Sequence, residues 1–170
     1  MLSDRLLRDL SPKRAELVVL HEIAHVKARH NLKLLLLSIC LSSTCVFSYW
    51  ALATTSSWSL KLGLILIAAW AGIRTFGRLA RLFELQADRW AARKSGDPLE
   101  YLRAIADVAS GHPDRATLMH PSFHQRCEFI LNGGVKSGEF LQNEFRKALC
   151  FMGIWMTAVT AIGAGIALAW

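Results

Sequence analysis

LKLLLLSICLSSTCVFSYWALA, residues 32–53, carries no charge after Lys33. At 1.5 Å of helical rise per residue, this run crosses a hydrocarbon core of about 30 Å. Residues 148–170, ALCFMGIWMTAVTAIGAGIALAW, carry no charge at all and are equally long enough to span. A third apolar run, Leu62 to Ile73, is shorter. It reaches spanning length when Trp58 to Phe76 is counted, with Lys61 and Arg74 snorkelling to opposite interfaces. A chain of 170 residues, 53% hydrophobic and 19% charged, is too small to wrap three such segments in protein. Buried core helices are therefore the weaker account. The first thirty residues are polar and charged, without the apolar stretch of a cleavable signal peptide, so none is expected.

The formal charge is +7 and the isoelectric point about 9.6. Topology accounts for that balance better than nucleic acid, and no nucleic-acid partner is expected. Lys13, Arg14, Lys27, Arg29 and Lys33 precede or open the first span. Arg74, Arg78, Arg81, Arg89, Arg93 and Lys94 follow the second, and Arg146 and Lys147 precede the third. The loop TTSSWSLK between the first two carries only Lys61. The positive-inside rule then places the N-terminal segment and residues 74–147 in the cytoplasm, with the C-terminus across the bilayer. Cys40, Cys45, Cys127 and Cys150 form no metal motif, and compartment and spacing argue against disulfides.

Outside the apolar runs the punctuation is helical. Ser11-Pro12 opens a helix, serine at the cap and proline in the first turn. Leu17, Leu20, Ala24 and Ala28 recur at helical spacing, and no breaker intervenes before the first span. The spacing predicts one helix running into the membrane. The second span has no clear stop before Lys94. Ser95-Gly96-Asp97-Pro98 ends it and starts another helix, with Asp97 and Glu100 in a capping-box pattern. That helix ends near Ser110-Gly111-His112-Pro113. Ser122 with Gln125 predicts a further short helix ending at Asn132-Gly133-Gly134, and Ser137 to Lys147 leads into the last span. No internal repeat and no convincing strand stands out.

Chemistry concentrates in His21-Glu22-Ile23-Ala24-His25. Two histidines four apart share one helix face, one turn from each other, so their imidazoles can grip one Zn²⁺. Glu22 is then placed to take a proton from an attacking water. A hydrolytic zinc site needs a third protein ligand. Glu84, in Phe83-Glu84-Leu85-Gln86-Ala87-Asp88-Arg89, is the best candidate. On a continuous helix His25 and His21 stand roughly 12–18 Å from the start of the first span, and Glu84 roughly 15 Å beyond the second. A membrane hairpin would bring all three to one height. The competing account of Glu84 is a solvated charge paired with Arg81 or Arg78. Asp88 lies one turn beyond Glu84, where a carboxylate can accept the outward N–H of a ligand histidine. Its competing account is a pair with Arg89 or Lys94.

Of the other histidines, His30 reads as an interfacial polar residue, and His112 and His124 as surface positions. His120, in Met119-His120-Pro121-Ser122, sits on a loop before a capped helix, within reach of a metal centre and able to donate to an oxyanion. A plain surface histidine is the alternative.

Together these stretches resemble the HtpX-like and CAAX prenyl protease family of membrane gluzincin metallopeptidases. The resemblance rests on HEIAHVKARH at 21–30, a membrane hairpin, ELQADR at 84–89 and HPSFHQR at 120–126, and covers roughly residues 3–131. It implies zinc ligands His21, His25 and Glu84, catalytic Glu22, Asp88 behind a ligand histidine, and His120 facing the site. Two departures stand out. Family members carry membrane spans and a substrate-pairing edge strand before the zinc helix, whereas here about twenty residues precede His21. Either a segment absent from this chain or a partner supplies that strand. Gln86 stands near a place where the family has a further acidic residue. The BlaR/MecR sensor-transducer peptidases share the first motif and a hairpin, but His120-Pro121 favours the first family.

The expectation is an all-α integral membrane protein with metallopeptidase helices on the cytoplasmic side of about three transmembrane helices. It comprises one unit over 1–170: a zinc-motif helix over 1–31, a hairpin over 32–76, a cytoplasmic helical part with the third ligand over 77–147, and a last span over 148–170. The expected activity is zinc-dependent endoproteolysis of membrane-associated or misfolded membrane proteins at a bacterial inner membrane, the site facing the cytoplasm. The alternatives are a sensor-transducer peptidase, a zinc-binding regulator without turnover, or a basic adaptor on anionic lipid.

Overall fold

The computed structural model describes residues 11–51, 58–108, 116–131, 143–151, 153–155, 157, 158 and 161. Among these residues all regular structure is helical. The helices are α1 (Pro12–Lys27), α2 (His30–Ala51), α3 (Trp58–Ser95), α4 (Pro98–Val108) and α5 (Phe123–Leu131). Residues 143–151 are helical as well. The chain divides into two compact units: Met1–Asn31 with Ala80–Glu139, and Leu32–Leu79 with Phe140–Trp170. The expected starts at 12, 98 and 123 are met, and α3 runs unbroken for 38 residues, past the end of its apolar stretch.

Capping explains these boundaries, with two changes from expectation. Ser11 occupies the cap of α1 but makes no side-chain cap bond, leaving Pro12 as the starting signal. At α4, Asp97 Oδ1 accepts from the amides of Leu99 and Glu100 at 3.0 and 3.1 Å. The return bond to the Asp97 amide comes from Ser95 Oγ at 3.3 Å, because Glu100 is engaged by Lys13. At α5 the box closes as the sequence predicts. Ser122 Oγ accepts from the Gln125 amide at 3.2 Å, and Gln125 Oε1 from the Ser122 amide at 3.0 Å. Gly96, at φ 73°, ends α3 in the left-handed conformation that favours glycine.

The expected continuous helix from Pro12 into the first apolar run is not found. It breaks at Ala28–Arg29, where Arg29 adopts φ 53° and its amide donates to Val26 O at 3.1 Å. A left-handed non-glycine residue costs about 1–2 kcal/mol. The next residue, His30, is fully buried instead of interfacial.

The unit holding α1, α4, α5 and the second part of α3 has a conventional core. Leu17, Ala91, Ala92, Tyr101 and Ala104 are buried together, with Leu20, Trp90, Ile105 and Ile130 packed against them. Alanines at 87, 91 and 92 give α3 a smooth face that lets neighbours approach closely. At the rim, Lys13 pairs with Glu100 and Arg14 with Asp107, joining α1 to α4.

The other unit, built from α2 and the first part of α3, inverts that pattern. Its buried positions include Leu37, Thr44, Ser48 and Ala68, while Leu35, Leu36, Ile39, Leu66, Ile67 and Trp70 are exposed. Thr44 and Ser48 donate to carbonyls one turn back, at 2.7 Å each, so their hydroxyls are satisfied without water. A Cβ at Gly72 would lie 2.7 Å from Leu41 Cδ2, so glycine permits the close approach of α2 and α3. Among the described residues one helix, Lys61–Ser95, is long and apolar enough to cross a membrane. The stretch His30–Val46 is apolar but shorter. The expected last span falls mostly outside the described residues.

Candidate metal centre

α1 presents His21 and His25 one turn apart, and α3 presents Glu84 and Asp88 one turn apart. The two pairs face each other. His25 Nε2 lies 3.1 Å from His21 Nε2 and 3.3 Å from Glu84 Oε1, and His21 Nε2 lies 3.6 Å from Glu84 Oε2. Each of these side chains is about one-seventh exposed, so the cluster is buried but reachable. Glu84 pairs with neither Arg81 nor Arg78. Arg78 pairs with Glu144 at 2.8 Å, and an Arg81 guanidinium N–H donates to Thr117 O at 3.5 Å.

These distances test whether the residues fit a metal. A tetrahedral Zn²⁺, with bonds near 2.0–2.2 Å, sets its donor atoms roughly 3.3–3.5 Å apart. The two imidazole nitrogens are 3.1 Å apart and each faces a different Glu84 oxygen, at 3.3 and 3.6 Å, while one ligand atom from each of His21, His25 and Glu84 lies within 4.8 Å of the others. Both histidines offer Nε2 to the shared point and turn Nδ1 away. Two imidazoles and one carboxylate form a donor set suited to zinc.

Behind His21, Nδ1 is 2.9 Å from Asp88 Oδ1 and 3.1 Å from Tyr101 Oη. Tyr101 donates its own hydroxyl to Asp88 Oδ1 at 2.8 Å. Asp88 is therefore placed where a carboxylate accepts the outward histidine N–H, not beside Arg89 or Lys94. Its Oδ2 is buried without a hydrogen-bond partner among the described residues. Arg126 bridges the two acids, Nη2 to Glu84 Oε2 and Nη1 to Asp88 Oδ1, both at 3.0 Å.

The field of these acids favours a cation between them. Burial opposes a charged imidazole at His21, yet hydrogen bonds to Asp88 and Glu84 push its pKa up to about 9. Burial likewise opposes an ionised Glu84, yet hydrogen bonds from His21 and His25 hold it well below the usual carboxylate range. Tyr101 is pushed far above the ordinary phenol range by burial and the neighbouring Asp88 charge, so it remains a donor.

His120 is exposed, with Nδ1 3.3 Å from Glu84 Oε2, and so lies at the mouth of the cluster. Its backbone is folded over by a Thr117 amide bond to His120 O at 2.9 Å and by a His120 amide bond to Thr117 Oγ1 at 3.0 Å. Glu22 follows His21 on α1 and is exposed. His124 is exposed on α5, and His112 lies outside the described residues. Three residues at the cluster carry no signal of a site role in the sequence. Arg126 stands in the HPSFHQR stretch without a signal of its own, Tyr101 depends on how α4 docks, and His30 depends on the break after α1.

Residues 1–133 match the model of peptidase family M48. No curated protein and no solved structure matches the chain. The family match covers well over half the sequence, and the chain belongs to peptidase family M48.

Proposed function

We propose, from that membership, that this chain is a zinc-dependent membrane endopeptidase in which His21, His25 and Glu84 hold the metal. The observation that carries the reading is the convergence of three side chains from two helices, one ligand atom of each lying within 4.8 Å of the others. Zinc, when bound, supplies Lewis acidity to the scissile carbonyl and acidifies the water that attacks it. Glu22 takes the proton of that water and returns it to the departing amine. His120 donates to the developing oxyanion. Asp88 and Tyr101 hold the outward N–H of His21, and Arg126 holds Glu84 and Asp88 in place.

The membrane part of the reading rests on the apolar exterior of α2 and the first half of α3. About half the length of α3 is enough to cross a bilayer, and Glu84 lies in the remainder. Substrates are membrane proteins or membrane-tethered segments, cut near a bacterial inner membrane on its cytoplasmic side.

Metal analysis of wild type against Glu84→Ala tests the ligand set. One zinc per chain is expected in wild type and a large loss in the variant. Glu22→Gln is expected to keep its zinc and lose cleavage of an unfolded membrane-protein substrate in detergent. Wild type that binds zinc but cuts nothing would favour a regulator without turnover.

A further inference from the structure

His30 is a fully buried histidine, and the chemistry proposed above does not use it. Its Nδ1 lies 3.0 Å from His25 Nδ1 and its Nε2 lies 2.9 Å from Gln86 Oε1. The ring stacks on Phe83 with centroids 4.5 Å apart and planes at 7°. On an unbroken helix, residues five apart point about 140° from each other. His25 and His30 meet because the left-handed turn at Arg29 swings the chain back between them.

The partners fix where the protons sit. A carbonyl oxygen only accepts, so Gln86 Oε1 requires the N–H of His30 to be on Nε2. A neutral imidazole has one N–H, which leaves His30 Nδ1 with a lone pair facing His25 Nδ1. The contact is a hydrogen bond only when His25 carries its proton on Nδ1. His25 Nε2 is then bare, and it is the atom that points at His21 Nε2 and Glu84 Oε1. The reverse orientation of the Gln86 amide would shift each proton along and place one on His25 Nε2, where it would block a metal.

We propose that His30 and Gln86 form a neutral hydrogen-bond relay that sets the tautomer of His25 and so presents its Nε2 to a divalent cation. His30 is a positioning residue. The relay rests on the reading of His21, His25 and Glu84 as ligands. The two ligand histidines are then held in different ways: an anion, Asp88, stands behind His21, and an uncharged imidazole–amide pair stands behind His25. The uncharged pair orients its ligand without adding a third negative charge to a cluster that already has two.

The test is zinc affinity of the full chain in detergent, measured by competition with a chromophoric chelator, alongside ¹⁵N spectra of labelled histidine. His30→Phe keeps a ring against Phe83 but removes both nitrogens. Gln86→Leu removes the acceptor that orients His30, and it covers the case in which His30→Phe does not fold. Each is expected to weaken zinc binding about 10–100-fold and to mix the His25 tautomers. His30→Asn, whose carbonyl can accept from His25 Nδ1–H, is expected to recover most of the loss. Wild-type zinc affinity in both His30→Phe and Gln86→Leu would overturn the relay and leave the ligand set standing. A wild-type chain that binds no zinc, or a Glu84→Ala chain that binds it equally well, would overturn the ligand set and the relay with it.

Discussion

The two units of this chain are set apart by a buried cluster of charged groups in one and an extensive apolar exterior on the other. In the one holding α1, α4 and α5, charged and polar groups turn inward: Asp88 and His30 are fully buried, and Glu84 and Arg126 nearly so. In the one holding α2 and the start of α3, leucine, isoleucine and tryptophan turn outward. A buried charge persists only when its partners repay the lost hydration. An exposed apolar helix face of this extent marks a surface that meets another protein or lipid. Under the proposed function the first unit would hold the cation and the second would face lipid.

The largest effect is expected where the inward charges depend on each other. Arg126 is the cation that bridges Glu84 and Asp88. Arg126→Met keeps the volume and removes the charge, leaving two buried acids without their arginine. The expected loss is about 3–5 kcal/mol, the range for breaking a buried pair on one side. Thermal unfolding in detergent measures it, and excess zinc should recover part of the loss by replacing the positive charge. A change under about 1 kcal/mol would mean these charges are solvated.

The contrast between the units breaks most directly with one substitution made twice. Ile67 is 55% exposed on α3 and Val26 is 73% exposed on α1. If both faces met water, arginine at either position would change stability by no more than about 0.5 kcal/mol. In a bilayer, Ile67→Arg is expected to cost about 2.5–3.5 kcal/mol of insertion free energy, with Val26→Arg neutral. Glycosylation-mapped insertion and membrane fractionation read the difference. Equal behaviour of the two variants would remove the membrane assignment from α3.

How far the sequence carries this picture depends on the range of each interaction. Local signals were legible: the caps at Asp97 and Ser122, and the one-turn spacing of His21 with His25. Helix rise along a continuous helix predicts the approach of Glu84 to those histidines. That premise fails, since the chain breaks at Ala28–Arg29. The convergence holds because the site is assembled within its own unit. No glycine or proline marks the break. An arginine takes the left-handed turn, and the buried His30 follows it directly. Tyr101 and Arg126 were illegible for a related reason. Each reaches Asp88 from another helix, and nothing in the residues flanking them reports which helix they meet.

A smaller effect is expected inside the apolar unit, where packing replaces charge. Gly72→Ala would set a Cβ against the tip of Leu41, a flexible side chain that can rotate away. Gly72→Val adds branches that rotation does not clear, and overpacking of this kind costs about 1–3 kcal/mol. Stability of the α2–α3 pair in detergent should therefore fall little for alanine and clearly for valine. Equal tolerance of both would show that the two helices do not depend on this approach.

The smallest effect belongs to the rim of the site unit, where Lys13 pairs with Glu100 across α1 and α4. The hydrogen bond that Lys13 donates to Glu100, together with that carboxylate's charge, raises the Lys13 pKa above its ordinary value. A raised pKa means the pair contributes fully below the ordinary lysine value and is lost as pH climbs through the raised one. Lys13 is mostly exposed, so water and salt screen the attraction. Lys13→Gln should lower the melting temperature less than Gly72→Val, and the difference should vanish in about 1 M salt, where the screening length is roughly 3 Å. A loss that survives high salt would show that the lysine stem packs against α4, so that this edge is held by apolar contact rather than charge.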